Sequence, residues 1–460
     1  MNLVNFRNGV LLFTVGCYIV LNQGFMQLRI PPGAGAPLGE LVLLIALLSI
    51  NHMKVMPQFL RSIFFWPLLL WWVFGIARAA MAFPEYGFWA LRDAAHVIES
   101  LYLYVGFAMA IKVDQIERVF RWLPKILLIV GLYSLLFPLR EELRDFSPTV
   151  VAAAGEARTL FFQFQSTSLT ALVAVAYLLI FRPRKDGPWV VLVAAIVTGL
   201  VAMLFQSRTV YLQIFALAMV LSVTHGRAFR RGSIVICILI GALIALPELG
   251  IDMKGRLGKT VDINFVLNHI MAIAGIAGEG TEGAASGNAL RAFWWGQIWR
   301  EVSANPMTLL FGVGYGEPLV NFQVGDVNVR EPHNSYISIG ARIGAVGLAA
   351  FLMITISLLR AWHRAYRECG RIGWKIGQNR LLVLFLYFLF TWIVATNQDT
   401  FEKPYHTIPF YFLWGVTLAY GHHLKHGAYR PVRKARTMRA AAPAGGGARP
   451  APGGAVPRGK

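Results

Sequence analysis

Three residues far apart in the chain have side chains suited to moving a proton and gripping an anion. They are Arg208 in QSRTVYL (206–212), Arg291 in ALRAFWWGQIWREV (289–302) and His333 in EPHNSYISIGARIGAVGL (331–348). An imidazole is the commonest general base, and a guanidinium fork matches the oxygens of a phosphate. His333 stands at the start of an apolar, Gly-spaced segment. A helix beginning there points free backbone N–H groups and the positive end of its dipole at the histidine. That setting draws anions and disfavours the imidazolium, and a base must be neutral. The plainer alternative is a helix start with Asn334 or Ser335 as cap, and spacing alone does not separate the two. Arg208 lies in a very short turn between apolar runs. A lone arginine at membrane depth costs roughly 2.5–3.5 kcal/mol unless paired. It is either an anchor that snorkels to the interface or a ligand for an anion held there. Arg291 alone reads as a solvated residue on an amphipathic helix. Its company is what raises it.

The elements that must position these groups are apolar. The chain has 460 residues, 56% of them hydrophobic and 14% charged. About 25% charged is usual for a soluble protein, and this chain cannot cover itself with polar surface. It reads as an all-α integral membrane protein. Twelve apolar segments are long enough, or nearly so, to span about 30 Å of hydrocarbon. They lie near 9–24, 37–50, 63–82, 88–111, 120–139, 159–181, 189–206, 209–224, 233–250, 334–359, 380–397 and 406–424. Of the 43 Lys and Arg residues, 28 fall in one alternating set of loops and 12 in the other. Half of the 12 belong to the single long loop, 251–333, where charge bias has little force. The positive-inside rule then places both termini in the cytoplasm and the long loop outside, in the periplasm of a Gram-negative cell.

Residues 1–425 form the membrane domain. Within the loop 251–333, apolar residues recur over 261–277, EGTEGAASGN (279–288) reads as a flexible break, and Asn288 is placed to cap a helix. On that helix Leu290, Phe293, Trp294 and Ile298 share a face, and Asn305-Pro306 ends it. The tail 426–460, rich in Arg, Ala, Pro and Gly, reads as a disordered cytoplasmic extension touching anionic lipid. The net charge of +20 is thus a matter of membrane topology, and no nucleic acid is implied. Cys17, Cys237 and Cys369 are scattered and suggest neither a disulfide framework nor a zinc site.

An ordered set of motifs resembles the O-antigen ligase family. It comprises PLGELVLLIALL (37–48), Ser207-Arg208, Arg291 in a loop helix, Gly312-Val313-Gly314-Tyr315-Gly316, and His333-Asn334-Ser335-Tyr336 followed by Gly344 and Gly347. The resemblance covers about 37–420 and is sharp only in those motifs. It implies a GT-C-like membrane glycosyltransferase with about 12 transmembrane helices and a large helical periplasmic loop. A glycan on undecaprenyl diphosphate would pass to an acceptor hydroxyl, such as a lipid A–core sugar, outside the bacterial inner membrane. The resemblance makes His333 the base and gives Arg208 and Arg291 the donor diphosphate, with Asn334 and Tyr336 in support. Two departures stand out. Arg158 is followed by TLFFQFQSTSL where relatives often carry a Gly- and Asn-rich stretch, and only Arg144 to Gly155 matches an Arg-x10-Gly spacing. Asp399, in the turn ATNQDTFEKP, stands where relatives often have an acid. It is either a solvated turn residue, the commoner case, or a group that orients His333 or Arg291.

Such a donor is already activated, so the scheme calls for no cofactor and no metal. The first outer loop, 22–36, has no Asp or Glu to hold one. Direct displacement would invert the anomeric centre. A polymerase of the same superfamily is the runner-up, although only one outer loop is large. A transporter of lipid-linked glycans is the alternative of another class. It would put ionisable residues and broken helices at mid-membrane. Arg78, Arg92, Asp93, His96, Glu99 and Arg342 fall inside the apolar segments. Arg92–Glu99 or Asp93–His96 pairing accounts for them structurally.

Overall fold

The computed structural model describes residues 3–32, 35–151, 157–181, 189–204, 208–248, 264, 267–268, 271, 282–324 and 327–429. Each of the twelve apolar segments contains helix among the described residues, although 159–166 is strand and loop. Among the described residues three small antiparallel strand pairs join 29–30 to 36–37, 149–151 to 157–159, and 322–324 to 327–329. Among the described residues five helices are long and apolar enough to cross a membrane, or six if the pair Leu38–Leu48 and His52–Leu60, bent by 103°, counts as one. The protein is therefore an all-α membrane protein.

The segment 406–424 is the core of the bundle. In Pro404–Lys425 nearly every residue up to Tyr420 is buried. A helix apolar on all sides belongs in an interior, and other helices supply its surroundings. Its closest neighbour is Tyr102–Met109, against which it crosses at Gly106 and Gly415. A Cβ on either would run into the other backbone, so only glycine permits this approach.

The segment 88–111 is not one continuous helix. It breaks into Phe88–Asp93, Ala95–Ile98, a 3-10 turn at Glu99–Leu101, and Tyr102–Met109. The polar residues in it explain the break, although not through the pairs expected. The Asp93 carboxylate is not paired with His96, and Arg92 is not bonded to Glu99. Arg92 lies over the Trp89 ring, and His96 Nε2 is 3.3 Å from the Tyr315 hydroxyl. Asp93 is 3.0 Å from Arg342 and also accepts from the Gly316 N–H at 2.9 Å.

Arg342 lies on the long helix Ser335–Arg371, which is interrupted at Gly344 by a left-handed φ of 66°. That interruption leaves backbone carbonyls without helical partners. The glycine-rich turn 312–316 fills the gap. Val313 N–H donates to the Ala341 carbonyl at 2.8 Å, and Gly314 N–H to Arg342 at 3.0 Å. The fully buried Arg342 guanidinium then binds Asp93, Glu331 at 2.7 Å, and the carbonyls of Gly314 and Glu317. Ser338 Oγ donates to the other Glu331 oxygen at 3.2 Å. One cation thus ties the broken segment, the glycine turn and the residue two before His333 to the kinked helix.

Arg342→Leu leaves two carboxylates buried without a cation and should cost roughly 3–5 kcal/mol. A fall in thermal midpoint in detergent reads this. The triple change Arg342→Met, Asp93→Asn, Glu331→Gln should recover much of the loss, whereas independent additive losses would count against a single coupled network.

Candidate active site

His333 is the last residue before a helix cap, and its backbone is in the left-handed region, with φ 54°. Few non-glycine residues adopt that conformation, and it persists only where surroundings enforce it. The enforcement is local. Asn334 is the N-cap of the kinked helix, its Oδ1 accepting from Tyr336 N–H at 3.0 Å and Ile337 N–H at 3.2 Å. Its Nδ2 donates to the Thr396 carbonyl at 3.1 Å. Ser335 Oγ donates to the Gln398 carbonyl and accepts from Phe401 N–H, both at 3.1 Å. The start of this helix is therefore stitched to the turn 396–401.

That turn carries Asp399. Its Oδ2 is 3.1 Å from His333 Nδ1, and 5% of its side chain is exposed against 41% for His333. Asp399 is not a solvated turn residue, because the 3-10 turn Thr400–Glu402 that follows folds it inward. With Nδ1–H donating to the carboxylate, Nε2 keeps its lone pair as an acceptor. Burial tends to raise the Asp399 pKa. The hydrogen bond from His333 and the charge of Lys403 outweigh burial and hold this carboxyl below its ordinary range. Glu402 behaves oppositely. Burial, with Glu331 and Asp399 close by, lifts it well above the usual carboxyl range.

Arg291 arrives on the helix Glu282–Ser303. This helix begins before Asn288, so Asn288 is inside it and not its cap. The face it docks is Trp294, Ile298 and Val302, buried against Val320 and Ala341 with Leu290 alongside. Phe293 points outward, 53% exposed. The helix stops at Ser303, and Asn305 caps the short helix Pro306–Phe311 by accepting from Met307 N–H at 2.9 Å. The segment 261–277 lies almost wholly outside the described residues, as does the tail beyond 429.

Docking sets the helix against the histidine. Trp294 lies 6.2 Å from the His333 ring, centroid to centroid, and Trp295 Nε1–H donates to the Pro332 carbonyl at 2.9 Å. Arg291 precedes these tryptophans by three and four residues, which puts it on the same helical face, one turn away. Its side chain is half-buried and has a partner. Arg208 is the first residue of Arg208–Thr224, and its side chain lies outside the described residues. Its neighbour Thr209 lines a polar cavity whose wall also holds Gln398, one residue from Asp399.

The remaining candidates stand apart. The Tyr336 hydroxyl donates to the Trp392 carbonyl at 3.2 Å, which anchors the helix start to Lys375–Ala395. Arg158 is exposed on the hairpin strand Ala157–Thr159, where the expected helix start at 159 is replaced by strand pairing; the helix begins at Thr167. The network around Arg342 was missed as a unit, although Glu331 stood two residues from the histidine. Gly325-Asp326 between Val324 and Val327 is a hairpin signal that marks the pair 322–324 and 327–329. Among the described residues no group of three His, Cys, Asp or Glu side chains is placed to hold a metal ion. The arrangement suits proton abstraction beside an anion.

A carboxyl held below its ordinary range binds fewer protons folded than unfolded in acid. Its stabilisation is whole at neutral pH and is lost as pH falls through the depressed value. Asp399→Asn should therefore lower the thermal midpoint most near pH 7, and the difference should shrink below about pH 4. A difference independent of pH would contradict the pairing.

A search of curated proteins found no match to the chain. Residues 193–352 match the family model described as O-Antigen ligase. The matched stretch holds Arg208, Arg291, the glycine turn, His333 and the kink at Gly344. Over that segment the chain is similar to the O-antigen ligase family.

Proposed function

We propose that the protein is a ligase that transfers a finished glycan from undecaprenyl diphosphate to a hydroxyl of a lipid A–core sugar. The family acts on lipid-linked glycans, and the chain is a membrane protein. The observation that carries the reading is the His333–Asp399 pair, with Asp399 buried and His333 open. In this scheme Nε2 takes the acceptor's proton as the acceptor oxygen attacks the anomeric carbon. The bond to the diphosphate breaks from the opposite side, its electron pair leaves on the phosphate oxygen, and the anomeric centre inverts. Asp399 fixes the tautomer and steadies the imidazolium as it forms, acting as a positioning residue. Arg208 and Arg291 neutralise charge gathering on the leaving diphosphate. In a bacterial inner membrane, twelve crossings with both termini cytoplasmic would put this site at the periplasmic face, where lipid-linked glycan and acceptor meet.

A polymerase would use the same base and arginines with another lipid-linked unit as acceptor, so the products decide. Purified protein given a lipid-diphosphate glycan and lipid A–core should yield glycan on the core. Lengthened lipid-linked chains would instead make it a polymerase, and counterflow without any glycosidic product would make it a transporter.

Within that assay His333→Ala should lower transfer by about 10²–10⁴-fold while the protein still inserts. Asp399→Asn should lower kcat with little change in KM, because it acts through the histidine. Arg291→Lys and Arg208→Lys should both be impaired, since an ammonium does not reproduce a bidentate grip on phosphate. Full transfer by His333→Ala would remove it as the base.

A further inference from the structure

We propose that an arginine-lined cavity at the end of the bundle away from His333 binds the phosphate of an anionic glycerophospholipid. The cavity is open and measures about 370 Å3, room for roughly a dozen waters. Two segments far apart in the chain line it. One is 61–64, between the helices His52–Leu60 and Phe65–Tyr86, and the other is 353–364 on the kinked helix. At roughly 1.5 Å per residue the kinked helix rises about 35 Å between Ser335 and Arg360. That length crosses about 30 Å of hydrocarbon, so the cavity and the histidine belong to opposite membrane faces.

Three arginines line the cavity: Arg61, Arg360 and Arg364. Among the described residues none of them has a carboxylate partner. The sequence explains this. No Asp or Glu occurs over 41–84 or over 332–367. The next acid along the kinked helix, Glu368, is held by Arg371 at 2.6 and 2.8 Å. The tail 430–460 has no acid either, so it supplies no counter-ion. Arg360 and Arg364 stand four apart on one helical face, where like charges repel. An anion held against all three arginines would offset that repulsion, and a guanidinium fork suits phosphate oxygens. Ser357 is buried in the wall. Its Oγ accepts from Phe64 N–H at 3.0 Å, which leaves its own proton to donate.

The order of residues in both segments points to an anion with a hydrocarbon tail. On the kinked helix Arg360 and Arg364 lie toward the membrane face, and the exposed Met353 and Ile356 lie deeper. On the other segment Arg61 comes first, and the exposed Phe64 leads into Phe65–Tyr86. Charge at one end of the cavity and apolar surface toward the bilayer centre is the polarity of a phospholipid. Its phosphate meets the arginines, and an acyl chain lies along Phe64, Met353 and Ile356. A soluble phosphate compound would leave that apolar wall uncovered. In the topology proposed above this is the cytoplasmic leaflet. A phosphate bound there ties the start of Phe65–Tyr86 to the helix that His333 precedes.

The test is native mass spectrometry of the purified full chain, delipidated in neutral detergent and titrated with phosphatidylglycerol. One tightly held lipid is expected. The combined change Arg61→Gln, Arg360→Gln, Arg364→Gln should weaken it roughly 100-fold, and each single change about fivefold, so the site is tested even where the triple variant fails to fold. Arg227→Gln with Arg230→Gln, exposed arginines on Gly226–Glu248, should bind like the parent. Phosphatidylcholine, neutral overall, should bind far more weakly, and glycerol 3-phosphate at the concentration of the lipid should not displace it. Equal binding of phosphatidylcholine would overturn the proposal by marking a general lipid cleft. Full displacement by glycerol 3-phosphate would overturn it in favour of a soluble phosphate compound. Equal losses in the two sets of arginine variants would overturn it in favour of undirected surface charge. Binding is read without transfer, so the outcome does not depend on the reaction proposed for His333.

Discussion

A buried guanidinium holds this protein's working end together. Arg342 has no contact with solvent and sits in the middle of a helix, where an unpaired charge would cost several kcal/mol. Asp93 and Glu331 offset that cost and tie two further segments to the helix. Asp93 draws in the broken helix and, through Gly316 N–H, the glycine turn. Glu331 draws in the strand that leads to His333. Because each partner would be stranded without the others, the segments assemble together or not at all. The interaction supplies geometric precision more than net stability, since an apolar substitute of equal volume packs as well in many proteins.

The kink at Gly344 and the turn 312–316 are two halves of one device. A continuous helix would have no carbonyl to spare for Val313 or Gly314. Interrupting it provides acceptors, and the turn provides donors, so both sets of buried backbone groups are satisfied. Arg78 adds a clamp by donating to the Gly312 carbonyl at 2.9 Å. The consequence reaches the site because the docked helix Glu282–Ser303 packs on Ala341, beside the kink, and carries its tryptophans to the histidine.

His333 and Asp399 are held differently from the scaffold beneath them. The imidazole is half open, as a group that meets an acceptor must be, while its carboxylate is closed off. Burial alone would make Asp399 a poor anion. The hydrogen bond from His333 and the nearby Lys403 reverse this, so the pair is stabilised only as a pair. Around it lie the buried Glu402 and the polar cavity with its unmatched Gln213 oxygen. Polar groups at this end of the bundle therefore range from the Arg342 guanidinium, whose two terminal nitrogens are paired, to the unpaired Gln213 oxygen.

Much of the chain was legible from periodicity and composition. A long apolar run with no water for its backbone must satisfy its hydrogen bonds internally, and a helix does so within one segment, so helix occurs in every predicted segment. Residue type and local spacing also singled out His333, Arg208 and Arg291 as candidates, because side-chain chemistry is a local property. Packing decided the rest. Whether 406–424 faced lipid or protein depended on which helices surrounded it. Whether 88–111 stayed continuous depended on Arg342, some 250 residues away. Asp399 reads as an ordinary turn residue until the fold sets it 3.1 Å from the histidine. Hydropathy is additive along a chain, so sequence alone determined the helices and the candidate chemistry. Pairing of buried charge is a property of positions in space, so only the tertiary structure decided which acid serves which base.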